Sequence, residues 1–215
     1  MRLLLLPALL AFPLARADEL VQNGGFERPE VQQRTPAKDG GDPAVSGWAR
    51  ARGFPAGESG EVEVGLTTGD AHAGRQALYV TFRSLTKNFA SGYVSTSSIR
   101  VAPGQAYSLG IWGKLDPKDP LTTESGQILV RANVSFLRAD GTKLPEKFFH
   151  KTAASGGSKR FFDETDWRLF AATVEPPPEA ATMTVSWVCQ LDGKDPKASG
   201  TILLDDASIE GPPAP

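Results

Sequence analysis

The stretch Gln127–Leu137 alternates without a break. Ile128, Val130, Ala132, Val134 and Phe136 fall on one side, and Arg131, Asn133 and Ser135 on the other. A period of two is the signature of a half-buried β-strand and does not suit a helix. The same pattern returns in Glu61–Leu66, in Gln76–Arg83 (Leu78, Val80, Phe82) and in Gln105–Lys114 (Tyr107, Leu109, Ile111). It returns once more in Ala181–Gln190 (Met183, Val185, Trp187, Cys189). Further extended pieces are expected from Trp48, over Phe89–Val101, over Trp167–Val174 and over Thr201–Glu210. Between them lie segments rich in Gly, Pro and Asp, and the chain holds 22 glycines and 17 prolines. No long helical pattern competes. Short strands punctuated this way point to an all-β sandwich or barrel built from antiparallel strands. Pro103-Gly104 fits a type II turn, with Pro fixing φ and Gly taking the positive φ. Asp140-Gly141 reads as a hairpin turn.

The first residues are of another kind. Met1-Arg2 precedes an apolar segment from Leu3 to Leu14, broken by Pro7 and Pro13, and Ala15-Arg16-Ala17 closes it as a small-x-small signal. This reads as a secretory signal peptide over 1–17, too short and too Pro-containing for a membrane span. A secreted or periplasmic product is expected, with one domain over 18–210 and a disordered tail over 211–215. No transmembrane segment is expected. The formal charge of the 215-residue chain is -2, and no basic face points to nucleic acid. Cys189 is the single cysteine, so no intrachain disulfide is available and a buried, inert thiol is expected. Residues 28–47, 115–126 and 192–200 read as loops, and 145–166 is ambiguous, with 151–159 a surface excursion; 115–126 and 145–166 are longer than a compact module needs.

Catalytic constellations are hard to find. His72 and His150 lie in unrelated segments without metal-ligand spacing. Asp163, Glu164 and Asp166 read as a charged loop. Asp205 and Asp206 are adjacent, so in a regular strand their side chains point to opposite faces. They cannot flank one glycosidic bond as a hydrolytic carboxyl pair must. No nucleophile elbow or phosphate loop is present. The chain is therefore expected not to be an enzyme. Those two acids still need an explanation, because Thr201-Ile202-Leu203-Leu204 runs straight into them, and buried carboxylates require partners.

An ordered set of motifs supplies one. Asn23-Gly24-Gly25-Phe26-Glu27 comes first, then Trp48, Ala73-Gly74 with Ala77-Leu78-Tyr79-Val80, and Val101 to Leu109. Phe136 to Gly141, Trp167 with Val174 and Pro176, and Leu204-Asp205-Asp206-Ala207-Ser208-Ile209 follow. Together, over roughly residues 20–210, they resemble the carbohydrate-binding modules of cellulose- and xylan-binding type, which are galactose-binding-domain-like. The resemblance implies a two-sheet antiparallel jelly roll. It also implies a structural calcium where the first and last strands converge. Glu27 and Asp206 match its side-chain ligands, with carbonyl oxygens near Gly25, near Gly74 and at Asp206. Calcium takes six to eight hard oxygen ligands, so such a set is chemically suitable. Without the resemblance, Glu27 and Asp206 read equally well as solvated turn residues. On this reading Asp206 is the clasp and Asp205 faces solvent.

The resemblance further implies glycan binding on a sheet face or at edge loops, where aromatic rings stack on sugars and polar groups fix orientation. Trp112, Arg131, Asn133, Tyr79 and Arg83 are all out of phase with the apolar sets of their strands. They would form one cleft if those strands share a sheet. A solvated sheet face carries the same residue types. Trp48, Trp167 and Trp187 are expected in the core. The functional expectation is a non-catalytic, carbohydrate-binding-module-like protein that takes a polysaccharide or glycan. The alternative is an extracytoplasmic protein–protein or cell-surface assembly module on the same scaffold, with a protein partner and no sugar cleft.

Overall fold

Each alternating run becomes a strand with its apolar side turned inward. The structure is a computed structural model describing residues 18–21, 24–27, 48–53, 61–85, 89–122, 127–145, 147–150, 165–192 and 195–212. Among these the strands are β1 (Asp18–Glu19), β2 (Trp48–Gly53), β3 (Glu61–Thr68), β4 (Gln76–Leu85), β5 (Phe89–Thr96) and β6 (Ile99–Arg100). They continue with β7 (Tyr107–Leu115), β8 (Gln127–Leu137), β9 (Lys147–His150), β10 (Arg168–Val174), β11 (Thr182–Asp192) and β12 (Asp195–Gly211). Every pairing is antiparallel. The first sheet runs β10-β7-β12-β4-β3, with β1 added on β12. The second runs β2-β5-β11-β8-β9, with β6 added on β11. The inward sides of the two sheets supply one continuous core. Leu78, Val80, Phe82, Tyr107, Leu109 and Ile111 enter it from the first sheet, and Val130, Val134, Phe136, Met183, Val185 and Trp187 from the second.

Local chemistry sets the turns as expected. Gly104 has φ 71° and the Gln105 amide donates to the Ala102 carbonyl at 3.3 Å, as in a type II turn. Gly141 has φ 82°, and the Thr142 amide donates to the Asp140 carboxylate at 2.8 Å. Cys189 is fully buried, and desolvation holds its thiol above the usual range, so it packs as a small apolar residue.

Four expectations need correction. The segment expected as a loop over 192–200 contributes from Asp195 onward to β12, with a register irregularity between Asp195 and Ser199. Part of the ambiguous stretch forms β9, whose His150 pairs with Arg131. The tail does not begin at 211, because Gly211 pairs with Asp18 and lies under the Tyr107 ring, where a Cβ would collide. Trp167 is half-buried on the outward side of the first sheet, not in the core. Trp187 is in the core. Residues 1–17, expected as a signal peptide, residues 28–47 and the Trp48 side chain lie outside the described residues.

Tyr107 ties the end of the chain to this core. Its hydroxyl accepts from the Ala102 amide at 2.7 Å and donates to the Pro212 carbonyl at 3.3 Å. In Tyr107→Phe both partners lose this bond, and a buried amide left unpaired costs about 1–3 kcal/mol. Urea unfolding should register a loss of that order; an unchanged midpoint would contradict the arrangement.

Candidate functional site

β12 is long enough to change neighbours along one edge. β7 follows it over Ile202–Glu210 on one side. On the other, β4 covers it up to the Leu204–Leu78 pair, and β1 takes over at Glu210 and Gly211. Asp205 and Asp206 sit where β4 has left and the N-terminal arm has not fully arrived. The arm closes the gap through backbone bonds, Leu20 amide to Ile209 carbonyl at 2.8 Å and Ala207 amide to Gly24 carbonyl at 2.9 Å. A Cβ at Gly24 would run into the Ala207 carbonyl, so only glycine permits this approach.

The strand is also irregular here. Asp205 pairs with Trp112 but Ser208 pairs with Gly110, which leaves one extra residue in β12. Asp206 takes φ 45°. This is a β-bulge, and it breaks the alternation that had placed the two acids on opposite faces. The expected orientation of Asp205 is overturned, since its side chain is fully buried. It accepts from the His72 amide at 2.8 Å, the Ala73 amide at 3.2 Å and the Asp206 amide at 2.8 Å. Glu27 does the same for the next residues, taking the Arg75 amide at 2.5 Å and the Gln76 amide at 2.8 Å on one oxygen. These carboxylates stand in for the strand that is missing beside the turn at residues 70–75.

Asp206 is half-exposed and differently employed. Its Oδ2 lies 2.6 Å from His72 Nδ1. The His72 ring stacks on Trp112 at 3.9 Å with planes 13° apart and meets Trp167 edge-on at 5.8 Å. The Lys114 ammonium sits 5.2 Å from the Trp167 ring centre and 2.8 Å from Asp70. A clamp of two indoles, an imidazole and an ion pair therefore covers the outward side of the first sheet.

The proposed metal-ligating residues meet at this junction. A Cβ at Gly25 would lie 3.2 Å from Asp206 Oδ1 and 3.8 Å from Glu27 Cγ, so both acids border Gly25. Gly74, at φ 71°, has no room for a Cβ beside the Glu27 carboxylate. Gln76, whose amide holds Glu27, has a buried side-chain oxygen without a partner. Among the described residues no group of three or more His, Cys, Asp or Glu is arranged for a metal. The two carboxylates are hard donors, and they fit an oxygen-preferring cation whose remaining ligands are carbonyls.

The five proposed ligand-binding residues do not form one cleft. Trp112, Tyr79 and Arg83 lie in the first sheet, whereas Arg131 and Asn133 lie in the second. All five point outward, so the core separates the two groups. Alternation reveals a residue's side of its own strand but not which sheet the strand joins. The first group is also occupied. One Trp112 face carries His72, Tyr79 donates to Glu63, and Arg83 pairs with Asp119 at 2.7 Å. Thr201 also donates to Asp119, at 2.6 Å. Burial alone would raise the Asp119 carboxyl, but Thr201 and Arg83 outweigh it and hold it below its ordinary value. That network fastens the 116–122 loop along β12, where the Thr122 amide donates to the Ser199 carbonyl.

The second group lies on a different kind of surface. Ser91, Val188 and Gln190 alternate away from the core yet are buried, so neighbouring side chains cover part of this outward side. Val188 pairs with Tyr93 on one side and Arg131 on the other. Ser186 lies beside Asn133, and its hydroxyl bonds that of Ser95 at 2.6 Å. The Asn133 Oδ1 is buried and has no hydrogen-bond partner among the described residues. Tyr93 and Gln190 were missed in the sequence, although Tyr93 is out of phase with core Val94. His72 was set aside for lack of metal-ligand spacing.

No protein-family profile matches the chain, and no curated protein does. Solved structures are similar to it. The enzymatically active domain of tailspike protein 4 from bacteriophage CBA120 superposes with TM-score 0.55 at 14% identity, over 90% of this chain and 21% of that one. The chain thus spans about a fifth of the tailspike domain's length. An apo cyclase from Fischerella sp. gives 0.52 at 18% identity, over 94% of this chain and 99% of that one. The xylan-binding CBM22-1 domain of Xyn10C from Paenibacillus barcinonensis gives 0.50 at 16% identity, over 93% and 98%. The fold is an all-β antiparallel jelly-roll sandwich that matches the carbohydrate-binding-module type.

The buried Asp205 makes a pH prediction. Burial is the main influence, partly offset by the Asp206, Ala73 and His72 amides, and the carboxyl is pushed up to about 6. Its folded-state value thus exceeds the unfolded one, so the folded protein binds the proton more tightly. Stability should fall as pH rises from about 4 to about 6, by on the order of 3 kcal/mol at most. Asp119 acts in the opposite sense, its contribution being lost only as pH falls below about 4. Urea unfolding in chelator across pH 4–7, with carboxyl NMR of Asp205, checks this. Titration of Asp205 near pH 4 with a flat stability profile would contradict it.

Proposed function

We propose that this is a secreted or periplasmic, non-catalytic carbohydrate-binding protein that holds a glycan on the outward side of its second sheet. Asn133 carries the reading. A buried carbonyl oxygen without a partner costs about 1–3 kcal/mol, and a sugar hydroxyl donating to it would satisfy it. Tyr93 offers a ring for stacking. The resemblance in sheet architecture to a xylan-binding domain supports the ligand class. A non-catalytic role is supported by the employment of the acids at the junction, since Asp205 and Glu27 are engaged with backbone amides.

A structural calcium belongs to the same proposal. Glu27 and Asp206 would hold it, with carbonyls near Gly25, near Gly74 and at Asp206. Its role is to neutralise the carboxylates and join the two ends of the domain, adding stability by binding only the folded form. The second reading is an extracytoplasmic protein–protein or cell-surface assembly module. What favours it is Leu169, 46% exposed, next to half-exposed Trp112 and Trp167 on the outward side of the first sheet.

Affinity precipitation with insoluble xylan, cellulose and bacterial envelope glycans, in calcium, tests the glycan reading. Retention on at least one polymer is expected. Asn133→Leu and Tyr93→Ala should each weaken it about tenfold, equivalent to about 1.4 kcal/mol, and Asn133→Leu should melt no lower than wild type, since it removes an unpartnered buried oxygen. Absence of wild-type binding across the panel would turn the balance to the assembly module.

A further inference from the structure

Resting on the calcium reading, we propose that His72 is the positioning residue of that cation site, and that its stack on Trp112 couples the cation to the aromatic clamp. His72 is held at three points. Its backbone amide donates to Asp205 Oδ2 at 2.8 Å. Its ring plane lies against Trp112 at 3.9 Å. Its Nδ1 reaches Asp206 Oδ2 at 2.6 Å. An ionised carboxylate can only accept, so this nitrogen carries the proton.

The consequence concerns the two oxygens of Asp206. Oδ2 is taken by the imidazole, while Oδ1 lies toward Gly25, which Glu27 also borders. A stacked ring cannot swing without losing its contact with Trp112, so the direction of its N–H is fixed. The carboxylate is thereby held with Oδ1 facing the place where the other hard donors gather. Without His72 the half-exposed Asp206 could rotate toward water, and each binding event would have to order it again. Partners that orient metal ligands from behind are worth about 10–100-fold in metal affinity. His72 thus has a task that does not require it to touch the cation. Its ring also lies against both Trp112 and Trp167, so a shift in Asp206 on cation binding is passed to two indoles.

The test uses the mature protein stripped of metal, with calcium titrated by calorimetry and followed by tryptophan emission. Two variants separate the roles. His72→Phe keeps a flat ring against Trp112 but removes the N–H. His72→Gln keeps an N–H donor but removes the ring. Wild type should bind calcium and change its emission with the same midpoint as the heat. His72→Phe should bind about 10–100-fold more weakly and lose the emission change. His72→Gln should retain more affinity than His72→Phe, and it serves as the second variant if His72→Phe does not fold. A histidine with a merely structural role would lower the melting temperature in chelator and leave calcium affinity and emission untouched. That result, or equal affinity in wild type and both variants, overturns the inference and leaves the calcium reading standing. Absence of calcium binding in wild type overturns the calcium reading and the inference with it.

Discussion

β12 cannot keep one neighbour along its whole length, and the rest of the domain is arranged around that fact. β4 turns away after Leu78, and the N-terminal arm pairs only at the far end. Between them the amides of residues 72, 73, 75 and 76 would be left without strand partners. Asp205 and Glu27 accept all four. Burying the Asp205 carboxylate is costly, and its three amide donors offset part of that cost, whereas Glu27 takes its two amides at an exposed position. Asp205 in the strand and Glu27 in the N-terminal arm are therefore the device that lets β12 change neighbours.

The same device decides which surface is available to a ligand. By holding the turn at 70–75, Asp205 lays His72 on Trp112 and brings Trp167 and Lys114 around it. Arg83, Asp119 and Thr201 fasten a second loop lower on the same sheet. Side chains that point outward there are committed to one another. The second sheet carries hydroxyls, amides, Tyr93 and Arg131 on its outward side. One sheet holds the ends of the domain together, and the other is the better candidate for recognition.

Much of this was legible in the residues. Period-two alternation identified the inward sets of β4, β7, β8 and β11, because burial on one side leaves a direct mark on sequence. The convergence of Glu27 and Asp206 at Gly25 was legible only through the resemblance of ordered motifs. Three things were not legible. Trp112 and Arg131 are equally out of phase with their strands, and alternation does not encode sheet membership. Asp205 and Asp206 look like regular strand neighbours, and the bulge that reorients them arises from the approach of Gly24 to Ala207, a contact between the two ends of the chain. His72 was unremarkable because its partners, Asp206 and Trp112, are distant in sequence.

The central claim is that the bulge at Asp206–Ala207 is fastened to the N-terminal turn as part of the cooperative core. Native-state hydrogen exchange of the Ala207 amide tests it most directly, because that amide donates to Gly24 across the junction. The account predicts exchange as slow as that of the core amides of β11, with the same dependence on denaturant, as expected for opening by global unfolding. Exchange at the rate of a surface loop, independent of denaturant, would contradict it.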